Sequence, residues 1–170
     1  MQGDRVGFAD ARTGQVTEMD VAPVNVKFSA KDVEIGQRSG SVLKVPPVYQ
    51  KGPRRMAADP KGDAVWVAEY FAGNLVKVDI HTKKVTEYPV PHPASHPYAV
   101  MVDKNHMVWV PEMNGDRILK FNPFTEKFTE YPLPTLGTNS RFIDVDNSTD
   151  VPTLWVPYTG ANKIARVQFR

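Results

Sequence analysis

Few residues on this chain are equipped for chemistry. One is His96, which stands directly before Pro97 in the proline-rich stretch 90–97. A neutral imidazole there can serve as a general base, or it can simply be a solvated loop histidine. Glu69 and Glu112 each follow a tryptophan by three residues, Trp66 and Trp109 respectively. Two such carboxylates can hold a hard cation, Mg²⁺ or Ca²⁺, through oxygen, or they can pair with arginines and cap turn amides. Arg54, Arg55 and Arg141 carry guanidinium forks suited to carboxylate or phosphate, and equally to bridging neighbouring elements. Tyr70, Tyr98, Tyr158, Asn114 and Asn162 add aromatic and amide groups, whereas His81, His92 and His106 have no metal-ligand spacing.

Composition removes several classes of function. The 170 residues are 41% hydrophobic and 24% charged, which suits one domain, or a piece of a larger one, with a real core. A net charge of +2, with no basic block longer than Arg54-Arg55 or Lys83-Lys84, offers no nucleic-acid footprint. The absence of cysteine excludes disulfides, thiolate metal sites and a cysteine nucleophile, and leaves the compartment open. The longest mostly apolar run, 64–72, is far short of the roughly 20 residues of a membrane span, so no membrane insertion is expected. The first residues lack a basic and apolar leader pattern, so no signal peptide is expected there. Serine-hydrolase elbows, phosphate-binding loops and zincin helices have no matching motif.

What must position the reactive groups is written as a repeat. Trp66-Val67, Trp109-Val110 and Trp155-Val156 fall 43 and 46 residues apart, and Asp59, Asp103 and Asp146 precede them in similar register. Thr86-Glu87-Tyr88-Pro89 returns as Thr129-Glu130-Tyr131-Pro132. Gly73-Asn74-Leu75-Val76 returns as Gly115-Asp116-Arg117-Ile118, with an echo at Ala161-Asn162-Lys163-Ile164. Within one period, segments 98–102, 107–112, 117–121 and 127–131 are rich in β-branched and aromatic residues and separated by turn residues, which predicts strands A, B, C and D. No capped stretch of helical period is present, so almost no helix is expected.

Four antiparallel strands per period of about 43 residues predict an all-β fold, a β-propeller of four-stranded blades, over a sandwich or barrel, which need no exact repeat. Residues 3–23 read as strands C and D of a blade, 53–91 and 97–134 as whole blades, and 140–170 as strands A to C of a last one. The ring is thus incomplete, with about three to four blades. Residues 24–52 read as a polar insertion with an extra strand at 42–45, either a binding loop or a tolerated one. Open sheet edges at both ends predict pairing with a second copy, or closure by a missing N-terminal half. Trp66, Trp109 and Trp155 are expected in the core, each packed on the next blade.

Trp66-Val67-Ala68-Glu69, Gly73 to Asp79 and Val85 to Pro91, repeated from Trp109 to Pro134, resemble the streptogramin lyases, also called virginiamycin B lyases. The likeness covers roughly 53–170, with an echo at 3–20. It implies a propeller, usually of seven blades. The founding enzymes open a cyclic depsipeptide antibiotic by Mg²⁺-assisted elimination at an ester bond, using a histidine base from a Pro-His step at the start of strand A and glutamates on one face. Here the residue after that proline is Arg54 or Tyr98, the last blade has Ser140-Arg141, and His96 precedes its proline. Related gluconolactonase-like and NHL-repeat propellers do other things.

Because successive strands reverse direction, the D-to-A and B-to-C connections share one face. That face should collect Arg54, Arg55, Glu69, Tyr70, His96, Tyr98, Glu112, Asn114, Arg141, Tyr158 and Asn162. The expectation is a small-molecule-binding propeller, a divalent-metal-assisted lyase acting on a cyclic ester or lactone-like substrate. His96 is the candidate base, Glu69 and Glu112 the metal or polarising groups, and the remaining residues the ligand contacts, with no organic cofactor. The alternative is a non-catalytic platform for a protein, glycan or cell-surface partner. The resemblance alone favours a periplasmic or secreted location.

Overall fold

Among the described residues, alternating apolar positions build four antiparallel sheets, and the alternation decides how they stack. The computed structural model describes residues 4–21 and 51–169. The segment read as an insertion lies outside them except for Lys51 and Gly52, as does its 42–45 strand.

The first sheet pairs β1 (Arg5–Ala9) with β2 (Val16–Asp20). The second runs in the order β3 (Pro53–Ala58), β4 (Ala64–Glu69), β5 (Asn74–Asp79) and β6 (Val85–Pro89). The third repeats that order with β7 (Met101–Val102), β8 (Val108–Glu112), β9 (Arg117–Asn122) and β10 (Lys127–Pro132). The fourth contains β11 (Asp144–Asp146), β12 (Thr153–Tyr158) and β13 (Lys163–Gln168). These are the expected propeller blades, four-stranded where complete, and the only helical turn among the described residues is a 3₁₀ turn at Pro93–Ser95.

Strand β7 is shorter than the 98–102 expected from sequence. Pro97 faces Glu112 in an isolated bridge, and the Tyr98 amide reaches the Pro111 carbonyl at 3.3 Å. Neither Pro97 nor Pro111 has an N–H to return a bond, so the ladder starts late.

Side chains on β4 and β5 go alternately to opposite neighbours. Trp66, Ala68 and Leu75 pack forward on Val100, Val108, Val110 and Phe121 of the third sheet. Val67, Val76 and Val78 pack backward on Val6 and Val21 of the first. Trp109 and Ile118 repeat the forward packing on Leu154, Val156 and Ile143 of the fourth sheet. Each tryptophan also has a cation over its face from the next strand, Lys77 at 5.9 Å from Trp66 and Lys120 at 5.4 Å from Trp109.

Trp155 corrects the expectation of a third core tryptophan. It is 42% exposed, against 1% for Trp66 and for Trp109. Among the described residues no further sheet follows the fourth, so the side chain that would be covered by the next blade faces solvent.

Candidate functional site

The D-to-A and B-to-C connections do meet on one face. The Met113 amide donates to the His96 carbonyl at 3.0 Å and the Asn114 amide to that of Ser95 at 2.9 Å. Tyr70 donates likewise to Gly52 at 3.0 Å, and Gly160 to Thr138 at 3.0 Å. Carboxylates at the starts of C strands tie these connections down. Asp4 accepts from the amides of Lys51 (3.3 Å) and Gly52 (2.9 Å), and Asp116 from those of Gly137 (2.8 Å) and Thr138 (2.7 Å). The Thr138 hydroxyl adds a further bond to Asp116 at 2.7 Å.

His96 follows the 3₁₀ turn at a left-handed φ of 59°. Its ring stacks on Tyr70 with centroids 4.5 Å apart, and Nδ1 lies 2.7 Å from the Asn114 amide nitrogen. Burial pushes its pKa down, which favours the neutral ring. Tyr98 stands edge-on to Tyr70 at 5.7 Å. The Arg54 guanidinium lies 4.6 Å from the Tyr70 centroid and 5.3 Å from that of Tyr98. Arg55 lies over Phe142 at 4.1 Å, and Arg141 is 5.9 Å from the Tyr98 centroid. His96, Asn114, Tyr70, Tyr98 and the three arginines are therefore brought together.

The side chains of the two glutamates turn away from this group. Glu69 and Glu112 occupy the β4 and β8 positions that point backward, opposite to Trp66 and Ala68, and both are 0% exposed. Glu69 accepts a 2.8 Å bond from Asn74, and its other oxygen has no hydrogen-bond partner. Burial pushes its pKa up to about 7. Glu112 is also pushed up by burial, with Arg117 at 3.7 Å. Gly115 closes over it so tightly that a Cβ there would lie 2.5 Å from the Glu112 carboxylate. Among the described residues no group of three or more His, Asp or Glu side chains could hold a metal ion. One cation shared by Glu69 and Glu112 does not fit, because each carboxylate has its own separate surroundings.

Tyr158 occupies the offset of Glu69 and Glu112 in the last sheet. It is buried among Ala99, Trp109 and Leu154, its hydroxyl has no hydrogen-bond partner, and burial pushes its pKa up. Asn162 is exposed at a φ of 51°. Phe142 and Phe71, which join the aromatic group around Tyr98, were not anticipated. Phe142 neighbours Arg141 in sequence, and that adjacency was the available signal.

A β-bulge shapes the group. Pro53 pairs with Glu69 and Met56 with Val67, so Arg54 and Arg55 together oppose the single residue Ala68.

Solved structures share this fold. A streptogramin B lyase structure matches with a TM-score of 0.73 and 24% identity over 97% of this chain and 45% of that one. The Staphylococcus aureus virginiamycin B lyase matches at 0.71 and 20% identity over 99% of this chain and 49% of that one. A catalytically inactive variant of the S. aureus enzyme, solved with quinupristin, matches at 0.68 and 20% identity over 98% and 49%. The chain thus spans about half the length of the solved structures it matches. A search of curated protein sequences finds no match. The model of the virginiamycin B lyase family matches residues 31–170, and the chain belongs to that family.

Proposed function

We propose that this chain carries part of a small-molecule site of the lyase type, and that its chemistry is elimination at a cyclic ester or lactone-like substrate. One observation carries the reading: a histidine kept neutral by burial is held by Asn114 and Tyr70 beside Tyr98 and three arginines. A base, aromatic walls and cations then share one mouth.

In this reaction His96 takes the proton from the carbon next to the one bearing the ester oxygen. The C–H electron pair becomes a C=C bond, the C–O bond breaks, and the oxygen leaves as a carboxylate. With Nδ1 engaged by Asn114, the free lone pair must lie on Nε2. That requires the Nδ1–H tautomer, with the Asn114 amide turned to present its oxygen. Tyr70, Tyr98 and Arg141 are the substrate contacts. The divalent cation implied by the family would supply Lewis-acid polarisation of the ester. Glu69 and Glu112 do not assemble a site for it, so the step rests on His96.

The test is incubation of the chain with quinupristin, followed by chromatography and mass spectrometry. Elimination opens the ring with no change in mass, whereas hydrolysis adds one water. Ring opening that is lost in His96→Ala supports the reading. Binding without conversion, unchanged by His96→Ala, supports the non-catalytic platform instead.

A further inference from the structure

The bulge in β3 has a chemical consequence. In a regular strand consecutive side chains leave opposite faces. At Arg54 and Arg55, two residues face Ala68 alone, and a bulge re-aims the side chains it displaces. Both guanidinium groups reach the same ring, 5.3 and 6.0 Å from the Tyr98 centroid. Arg141, from the beginning of the last blade, reaches it at 5.9 Å. Arginines from two blades thus surround one tyrosine borne by the blade between them.

Structural arginines in this protein look different. Arg117 lies 3.7 Å from Glu112 and 3.5 Å from Glu130, and Arg5 bonds Glu18 and Asp20 at 2.8 and 2.9 Å. Among the described residues no carboxylate lies within ion-pair distance of Arg55 or Arg141, and both are exposed. Arg55 lies 4.1 Å from the Phe142 centroid and Arg141 5.9 Å from that of Tyr98, and an aromatic ring carries no carboxylate to satisfy the N–H forks. Like charges gathered in this way raise the local concentration of an anion.

We propose that Arg55 and Arg141, with Arg54 beside them, form an oxyanion subsite for the carboxylate or phosphate of a small ligand whose body lies on Tyr98 and Phe142. The inference rests on the small-molecule reading above and gives the ligand its charge. In the elimination proposed there the leaving group is a carboxylate, which is the group such a subsite holds.

The experiment measures thermal midpoints of the full chain in rising inorganic phosphate or benzoate, against chloride at equal ionic strength. A ligand that binds only the folded state raises the midpoint with its concentration. Both anions are expected to do so saturably, and tighter binding of benzoate identifies an organic carboxylate, tighter binding of phosphate a phosphate. The double variant Arg55→Gln/Arg141→Gln is expected to lose the shift while keeping its anion-free midpoint. Arg55→Lys/Arg141→Lys, which keeps charge but not the forks, is expected to weaken binding about tenfold. A wild-type shift no larger than that of chloride, or one unchanged in the glutamine pair, overturns the proposal. Quinupristin conversion separates this from the functional reading: conversion without an anion response removes the subsite alone. An anion response without conversion leaves the subsite and removes the lyase.

Discussion

Two tryptophans with the same sequence surroundings have different fates. Trp109 is buried between the third and fourth sheets, stacked on Phe169 at 4.9 Å, while Trp155 stands 42% exposed on the outer face of the fourth. Both precede a valine, and both lie under a cation from the neighbouring strand. The difference teaches that the Trp-Val repeat encodes half of an interface. The other half is the Val, Leu and Phe positions of the following blade, and burial requires both.

The largest test of this comparison is a pair of truncations. Trp109→Ala removes a side chain enclosed on every side and is expected to cost about 3–5 kcal/mol. Trp155→Ala is expected to cost below about 1 kcal/mol. Urea denaturation of both variants checks this, and equal losses break the comparison.

The offset three residues past each tryptophan offers a second contrast, because Glu69 titrates and Tyr158 does not in the same range. Glu69 has its folded pKa raised from 4.5 to about 7 by burial. Below about 4.5 both folded and unfolded chains hold the proton, and there is no penalty. As pH rises toward 7 the unfolded chain releases the proton first, so stability falls, and above 7 the folded state bears the full cost of the buried charge. Glu69→Gln is therefore expected to be near neutral at pH 4.5 and stabilising by up to about 3 kcal/mol at pH 8. Tyr158→Phe, which deletes a buried hydroxyl without a partner, is expected to show no such pH dependence. Denaturant midpoints at the two pH values decide both.

The fold was legible because the repeat is written in recurring identities, Trp-Val on strand B and Thr-Glu-Tyr-Pro on strand D, which a stack of similar sheets satisfies. The site was legible in part. Strand reversal placed His96, Tyr70, Tyr98, Asn114 and the arginines on one face, and they do meet. The same alternation that sends Trp66 and Ala68 forward sends Glu69 backward. The burial of the two glutamates could thus have been read from the sequence by applying that rule one residue further. The β3 bulge could not, since Pro53-Arg54-Arg55-Met56 carries no glycine to mark it. Nor could the left-handed turn that lays His96 on Tyr70, because it depends on the whole connection rather than on local residue preference.

The smallest expected effect concerns the connections that carry the site. Asp116 stands just before β9 and Asn74 opens β5, and Asp116 clamps two amides and a hydroxyl of the next connection, whereas Asn74 turns to Glu69. Burial alone would raise the Asp116 pKa. The bonds from Thr138 and Gly137 outweigh it and hold the pKa below the usual value. Its sign is therefore opposite to that of Glu69: its stabilisation is present above the unfolded value and lost as pH falls through the folded one. Asp116→Ala leaves the buried Thr138 amide and hydroxyl without their acceptor, while exposed Gly137 finds water, so the expected cost is about 1 kcal/mol at neutral pH. That cost should shrink as the medium is acidified below the carboxylate range, where wild type loses the same bonds. Asn74→Asp makes the converse change, setting a second carboxylate against Glu69, and its penalty should grow with pH. Chemical denaturation of the two variants across pH 3–8 tests both, and parallel curves would show that the two positions do the same job.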